Sequence, residues 1–384
     1  CTWTTPSACS ILSCMTRLFL GLIAIVVVLY GVLVALAPKE LPPAPAAATT
    51  TPQVAVVSDT VVATHLSIPW DLAFLPDGSL LVTERTGSVV HIPLSGTTTR
   101  TQISGATGGE GGLLGITLHP DFANNAFVYL YMGQEAGGGT VNRVVRYTYR
   151  NDVLTENKVI LDGIPGALYH DGGRLEFGPD GKLYVTTGDA TRGALAQDMK
   201  SPAGKILRVN DDGTVPSDNP YGNAIFSYGH RNPQGLAWDA NGNLWETEHG
   251  PTGEGGRCCH DELNLLTQGG NYGWPSIIGD ETQDGMIAAA RHSGDDTWAP
   301  ASLVYFDGAL YFGGLKGASI YKATITGTTV TDIKAFKTDT YGRIRSIRVG
   351  PDRMFYITTS NTDGRGRPLP DDDRIIKIDP KSLQ

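Results

Sequence analysis

The sequence predicts an all-β protein: a six-bladed β-propeller with four-stranded antiparallel blades, preceded by an N-terminal transmembrane or signal helix. A strand–turn–strand pattern that occurs six times indicates the propeller. The composition agrees, because the 384 residues include 48 Gly and 23 Pro but only 18% charged residues. Such a chain suits many short strands joined by tight turns. One long uncharged stretch near the N-terminus predicts the helix.

The uncharged stretch LFLGLIAIVVVLYGVLVALA covers residues 18–37 and is flanked by Arg17 and Lys39. It is long enough to cross the hydrocarbon core of a membrane, and the small residues at its end also fit a cleavable signal peptide. We therefore predict an N-terminal tail at 1–17 and a membrane signal anchor or signal peptide at 18–37. The positive-inside tendency then places the rest of the chain outside the cytoplasm.

The segment PKELPPAPAAATTTPQ, residues 38–53, is rich in Pro, Ala and Thr and has no apolar periodicity. This composition is typical of a semi-extended linker. The propeller domain is accordingly predicted at 54–384.

The repeated pattern is a strand, a turn that contains an Asp, and a second strand. LAFLPDGSLLVTE shows it early in the domain and IRVGPDRMFYITT shows it late. The copies lie roughly 40 to 70 residues apart, which is the size of one blade with its loops. Because each blade buries its faces against its neighbours, we expect functional polar groups on loops around the central axis. The turn aspartates are Asp77, Asp121, Asp180, Asp239, Asp307 and Asp352.

Charge and cysteine content exclude two classes of protein. The net charge of -9 and the lack of a basic stripe argue against a nucleic-acid partner. Three of the five cysteines precede the apolar stretch, so the domain itself has no disulfide framework. The adjacent pair Cys258 and Cys259 forms either two loop thiols, which we favour, or a vicinal disulfide.

The stretch YHDGGRLEFGPDGKLYVTTGD, residues 169–189, places an imidazole and a carboxylate at the two ends of a predicted hairpin. His170 stands in a turn before the first strand, and Asp189 follows the second. If the hairpin closes, both side chains can face one pocket. A carboxylate beside an imidazole raises its basicity and fixes its tautomer, which suits proton abstraction. An ordinary hydrogen-bonded loop histidine fits the same pattern.

Four further loops are more polar than strand packing requires. The acidic loop at 246–275 offers carboxylates and turn carbonyls, oxygen donors that suit Ca²⁺. Arg343 and Arg345 leave the same face of a strand, so they bind an anionic group or form surface ion pairs. The polar residues of the four loops are Glu110; His230, Arg231 and Asn232; Glu248, Asp261 and Glu262; and Arg343 with Arg345.

Several motifs together resemble a known family. In order, the chain contains HDGGRLEFGPDGKLYVTTGD, GHRNPQGLAWD, EHGP followed by DELNLL and GGNYGWP, then GLKG and GRIRSIRVGPD. These motifs are similar to those of the soluble PQQ-dependent aldose sugar dehydrogenases, the glucose/sorbosone dehydrogenase family, over about residues 60 to 380. The resemblance implies a six-bladed propeller that holds pyrroloquinoline quinone (PQQ) and calcium on its axis and oxidises the C1 hydroxyl of an aldose to the lactone.

The resemblance also implies roles for the catalytic residues. His170 matches the general base that takes the hydroxyl proton while hydride passes to the quinone C5, and Asp189 matches the carboxylate that orients this base. Arg231 matches a group that stabilises charge at the quinone oxygens. The implied cofactor-binding positions are Glu110, His170, Arg231, Asn232, Lys316, Arg343, Arg345 and Asn361.

The implied calcium ligands are the backbone oxygens of Gly250 and Pro251, and Glu262 with the Tyr272 carbonyl resembles a second, structural calcium position. Two positions depart from the family pattern. Glu110 stands where glucose-oxidising members have Gln, and Asn361 follows Ser360 where they carry an Asp.

The expected partners are an aldose substrate, an unidentified electron acceptor and the membrane, for a monomer or homodimer. Two other functions remain open. Six-bladed propellers also act as calcium-dependent lactonases, but such a site needs converging carboxylates, and the three cations Lys316, Arg343 and Arg345 would repel a bare metal ion. A noncatalytic extracellular propeller that binds sugar or protein is the third possibility.

Overall fold

The computed structural model describes residues 59–103 and 108–384. The predicted tail, apolar helix and linker, and the domain boundary at Val54, lie outside these ranges. Within them, no helix is long and apolar enough to cross a membrane.

The described chain forms six four-stranded antiparallel sheets, the blades. This architecture confirms the predicted propeller. Blade 1 contains β2 (Pro69–Phe74), β3 (Leu80–Glu84), β4 (Ser88–Ile92) and β5 (Thr99–Gln102). Blade 2 contains β6 (Leu113–Leu118), β7 (Phe127–Ala136), β8 (Gly139–Arg150) and β9 (Val153–Pro165). Blade 3 contains β10 (Leu175–Phe177), β11 (Leu183–Thr187), β12 (Lys205–Val209) and β13 (Ile225–Tyr228).

The second half of the ring follows the same order. Blade 4 contains β14 (Pro233–Trp238), β15 (Leu244–Glu248), β16 (Glu262–Leu266) and β17 (Arg291–His292). Blade 5 contains β18 (Pro300–Phe306), β19 (Ala309–Gly314), β20 (Ile320–Thr326) and β21 (Thr329–Phe336). Blade 6 contains β22 (Ile344–Val349), β23 (Phe355–Thr359) and β24 (Ile375–Ile378), and its fourth strand is β1 (Thr60–Ala63) from the start of the domain.

The first described strand closes the ring. β1 pairs antiparallel with β24, with Thr60 opposite Lys377 and Val61 opposite Ile376. β1 thereby covers the sheet edge of the last blade, which joins the first and last described strands and removes an open edge.

The six aspartate turns join the first two strands of each blade. In blade 3 the Asp180 carboxylate accepts the amide hydrogen of Lys182 at 3.1 Å, and in blade 4 Asp239 accepts that of Asn241 at 2.8 Å. A carboxylate that binds an amide two residues ahead stabilises a tight turn. Only blade 2 replaces the tight turn with a short helix, α1 (Phe122–Asn125).

Blades pack closely near the axis, and glycine makes this possible at two inner strands. A Cβ on Gly115 of β6 would lie 2.2 Å from the Gly173 carbonyl oxygen, and one on Gly235 of β14 would lie 2.6 Å from that of Ala301. No side chain fits between backbones at these distances. Apolar side chains fill the wider space between blades, as where Tyr131 of blade 2 packs in one buried cluster with Val185 of blade 3.

Candidate functional site

A cavity of about 1030 Å³ lies where the inner strands of all six blades begin. Each blade contributes a lining residue at or just before its first strand. These residues are Trp70, Glu110, His170, Arg231, Ala299 and Arg345. The cavity is therefore axial, as expected for a propeller whose polar groups stand on the loops around the ring.

The predicted His–carboxylate pair forms in this cavity. His170 Nδ1 lies 2.8 Å from Asp189 Oδ1, and Asp189 is buried. Asp189 is held on its other side, because its Oδ2 accepts a hydrogen bond of 2.8 Å from Trp274 Nε1 and its Oδ1 accepts the amide of Thr191. A carboxylate accepts the Nδ1 hydrogen, which leaves His170 Nε2 as a proton acceptor on the cavity side.

The Glu110 side chain binds the backbone amide of the same histidine. Its Oε2 accepts the His170 amide hydrogen at 3.2 Å, and its Oε1 accepts a hydrogen bond of 2.6 Å from Arg365. Burial alone raises the pKa of Glu110, but His249, Arg365 and the His170 amide lower it to about 2. The extra negative charge expected at this position is thus paired with Arg365.

Arg231 and Asn232 are both buried, and their loop enters the cavity between β13 and β14. Arg231 Nη1 donates to the His249 carbonyl at 3.1 Å, and its Nε donates to Glu254 at 3.1 Å. The Asn232 side-chain oxygen accepts the Gly172 amide at 3.0 Å and so ties this loop to the turn that carries His170.

Glu254 was not among the residues predicted from the sequence. It stands on the loop after Gly250, and its Oε1 lies 3.8 Å from His170 Nε2. Burial opposes ionisation of Glu254, but the hydrogen bond and charge of Arg231 lower its pKa. The cavity therefore holds an ionised carboxylate next to the candidate base.

Three predicted cations, on the loops and inner strands of blades 5 and 6, also line the cavity. Arg343 is paired with Asp363 at 2.8 Å, and Lys316 is exposed. Arg345 is buried, its Nη1 donates to the Gln234 side-chain oxygen at 2.9 Å, and its Nε has no partner among the described residues. Burial and the repulsion of Arg85 and Arg343 lower the pKa of Arg345 to about 9.

The predicted metal positions fall around two cavities. Gly250 lines the axial cavity, and its amide donates to the Asp261 carboxylate at 2.9 Å. Pro251, Glu262 and Tyr272 line a small second cavity beside it. Glycine is required at 250 because a Cβ there would lie 1.7 Å from the Cys259 carbonyl oxygen.

Two expectations differ from the structure. Cys258 and Cys259 are joined by a disulfide, so the favoured interpretation as two loop thiols is wrong. Asn361 is buried and does not line the axial cavity. Its side chain accepts the Arg343 amide at 2.8 Å and donates to Asp372 and to the Tyr341 carbonyl, so it positions the loop that carries Arg343.

The sequence did not indicate the long-range partners Trp274, Arg365 and His249. His249 lines the cavity, and burial lowers its pKa to about 3, so it is a neutral imidazole. Trp274 stands in the GGNYGWP motif, which was a signal for the loop, but its hydrogen bond to Asp189 spans 85 residues of chain.

The fold and the cavity define a class: a six-bladed propeller with an axial site that combines a carboxylate-oriented histidine and a cationic wall. Residues 66–370 match the Glucose / Sorbosone dehydrogenase family, and the chain belongs to this family. The predicted family resemblance is thereby confirmed.

Relatives and solved structures agree. The aldose sugar dehydrogenase YliI of Escherichia coli is 31% identical over 365 residues, which is 85% of this chain and 94% of the relative. The quinoprotein glucose dehydrogenase B of Acinetobacter calcoaceticus is 35% identical over 266 residues, 60% of this chain and 54% of the relative. The structure of a PQQ-bound aldose sugar dehydrogenase from Streptomyces coelicolor superimposes with a TM-score of 0.77 at 38% identity, covering 83% of this chain and 97% of that one.

Proposed function

We propose that this chain is a PQQ- and calcium-dependent oxidoreductase that oxidises the C1 hydroxyl of aldose sugars to lactones. The observation that carries the proposal is the pairing of His170 with the buried Asp189 in a cavity that is also lined by Lys316, Arg343 and Arg345. Family membership supports sugar oxidation, and the names of the relatives support aldoses and a quinone cofactor.

The residues present fit PQQ. The cofactor is a planar tricarboxylate, and the cavity presents Lys316, Arg343 and Arg345 on one side. Arg345 in particular is a buried cation with an unpartnered Nε among the described residues, and neighbouring positive charge lowers its pKa. A carboxylate would supply both the missing hydrogen bond and the missing charge. This cationic wall disfavours a calcium-dependent lactonase.

The fit to calcium rests on the donor chemistry of the Gly250–Pro251 turn. Backbone oxygens are hard ligands of the kind that Ca²⁺ prefers, and the Asp261 carboxylate fixes the turn through the Gly250 amide. Calcium beside a quinone would polarise its carbonyl. A structural calcium at Glu262 and the Tyr272 carbonyl is proposed with the same donor chemistry.

The residues of the chain would act on the sugar as follows. PQQ, when bound, supplies the two-electron acceptor. His170 Nε2 takes the proton of the C1 hydroxyl, because Nδ1 is committed to Asp189. Asp189, fixed by Trp274, stabilises the imidazolium that results. Arg231, which is held by Glu254 and the His249 carbonyl, would supply positive charge beside the bound cofactor.

The test is a titration of the purified full chain with PQQ in the presence of Ca²⁺, followed by absorbance of the quinone. We expect saturable binding and aldose-dependent reduction of an artificial acceptor dye by the reconstituted protein. An absence of quinone binding would reject the proposal. Hydrolysis of sugar lactones with Ca²⁺ alone would favour the lactonase instead.

We further propose an extracytoplasmic location, with membrane attachment through residues 18–37. The disulfide between Cys258 and Cys259 supports an oxidising compartment. Fractionation of expressing cells tests this location, since recovery of the folded chain from the cytosol would contradict it.

A further inference from the structure

A buried polar layer lies inside blade 4, where a propeller normally packs apolar side chains. We define the acid layer as Glu246, Glu248 and Glu262, which are all buried. Glu246 and Glu248 alternate along β15 and so share a face. In the register of the sheet, Glu248 stands opposite Glu262, and Glu246 stands opposite Asn264. Carboxylates directly opposite each other destabilise a sheet unless a cation or proton neutralises them, and the calcium proposed at Glu262 would offset only the pair that Glu262 forms with Glu248.

The loop between blades 3 and 4 brings an imidazole to the same layer. His230 is fully buried, stacks on Tyr272 and contacts Ser227 through Nε2 at 2.9 Å. Its Nδ1 lies 3.7 Å from Glu248 Oε1. A ring whose Nε2 hydrogen is directed to a hydroxyl presents Nδ1 as a lone pair, which is how histidine ligands are oriented in metal sites.

Three buried polar atoms in or beside the acid layer have no hydrogen-bond partner among the described residues. His230 Nδ1, Glu246 Oε1 and Asn264 Oδ1 are buried and make no hydrogen bond within the described part of the chain. Buried polar atoms are nearly always satisfied, and each unsatisfied one costs about 1–3 kcal/mol. Three such atoms close together indicate a missing cation to which they would donate lone pairs.

We propose that His230, Glu246 and Glu248 bind a first-row divalent transition-metal ion, of the type of Zn²⁺ or Mn²⁺. One ligand atom from each of the three residues lies within 4.8 Å of the others. Donors that share one ion with bonds of about 2.1 Å lie roughly 3 to 4 Å apart, so only a small contraction is needed.

Glu248 also lines the small cavity that contains the calcium position proposed at Glu262 and Tyr272, so the two sites are neighbours. The ligand chemistry distinguishes them. An imidazole nitrogen suits Zn²⁺ and its neighbours in the first row, whereas Ca²⁺ takes oxygen ligands.

The acid layer is enclosed, so the ion would enter during folding. We therefore test the full chain in two ways: its metal content as purified, and its metal uptake when refolded after chelation with Zn²⁺, Mn²⁺ or Ca²⁺ separately. We expect wild type to retain transition metal stoichiometrically in both cases. Refolding with Co²⁺ adds a spectroscopic readout, because its visible spectrum reports a nitrogen ligand.

The decisive variant is Glu246→Gln, which keeps the shape of the side chain and removes one ligand charge. We expect at least about a tenfold loss of transition-metal occupancy, the effect typical of weakening a metal site, with calcium content unchanged. Glu84→Gln, a buried carboxyl of blade 1 paired with Arg100, is the matched control and should retain the metal.

Two results would overturn the proposal. The first is wild-type protein that holds no transition metal after either treatment, in which case the acid layer is neutralised by protons. The second is uptake of Ca²⁺ alone with no dependence on Glu246. Neither result depends on PQQ binding or sugar oxidation, so these experiments test the metal site independently of the proposed function.

Discussion

Two charged clusters on the inner strands differ in how their charges are balanced. In the first, Asp71 accepts ion pairs from both Arg174 and Arg348, and Arg348 also pairs with Glu176. Two cations meet two carboxylates there. In the second, on the cavity wall, Arg345 is buried and forms no ion pair with a carboxylate among the described residues. Arg85 and Arg343 repel it, and the nearby Asp363 carboxylate is paired with Arg343.

Trp70 connects the two clusters, because the guanidinium of Arg174 lies 4.4 Å from its ring centroid and that of Arg345 lies 5.5 Å from it. Both arginines are buried and contact the same ring, so burial does not explain why the charges of only one cluster are balanced. In the first cluster each cation meets a carboxylate, so its charges are balanced among the described residues even though Arg174 Nη2 makes no hydrogen bond there. The unbalanced cluster is completed only by an anionic ligand, so substitutions in the two clusters should affect different measurements.

The largest expected effect is on stability, in the balanced cluster. Arg174→Met leaves Asp71 buried with one cation fewer, and breaking a buried ion pair costs about 3–5 kcal/mol of unfolding free energy. Chemical denaturation measures this loss, while PQQ affinity should stay within about twofold of wild type. Arg353→Met, which breaks an exposed pair with Asp307, is the control and should cost about 1 kcal/mol or less. Weakened PQQ binding at unchanged stability would contradict the assignment of Arg174.

The next effect is on turnover. His170→Ala removes the proposed base but none of the cationic wall, so the rate of dye reduction should fall about a hundredfold or more while PQQ still binds. His119→Ala, outside the cavity lining, serves as the comparison and should keep its rate. Turnover near the wild-type level in His170→Ala would remove this residue from the mechanism.

A smaller effect is expected on cofactor affinity. Arg345→Met removes one charge-assisted contact to a cofactor carboxylate, worth about 1.5–3 kcal/mol, so PQQ should bind roughly 10- to 100-fold more weakly. The same change relieves a crowded buried cation, and the cofactor-free protein should be as stable as wild type or more stable. If Arg345→Met instead unfolds as readily as Arg174→Met, the two clusters do not differ as described.

The smallest expected effect is on the pH dependence of stability, through Glu110 in the lining of the axial cavity. Its folded-state pKa of about 2 lies below its ordinary value of 4.5, so its contribution to stability is present above pH 4.5 and is lost as the pH falls toward 2. Glu110→Gln should cost about 1 kcal/mol or less at neutral pH, since Arg365 is half exposed, and should flatten the acid limb of the stability curve. Thermal unfolding between pH 2 and 7 measures this. An acid limb identical to wild type would show that other carboxyls account for it.

Much of the fold was predictable because its signals are local. Each aspartate turn binds its own amides within a few residues, so Asp180 and Asp239 mark their hairpins in the sequence itself. The pairing of His170 with Asp189 was predictable for the same reason, since one hairpin brings them together. Asn361 was not, because its motif position matches a cofactor contact while the folded loop turns its side chain toward Arg343 and Asp372.

The sequence by itself determined the blades, the order of the loops around the axis and the chemistry available on them, because period-two strands and tight turns depend on neighbouring residues. Only the tertiary structure decided which charges are balanced. Trp274 donates to Asp189, and Arg345 is left without a carboxylate partner among the described residues, only once distant blades meet in the closed ring. The balance of charge depends on burial and on contacts across more than a hundred residues, and these follow from closure of the ring rather than from any local pattern.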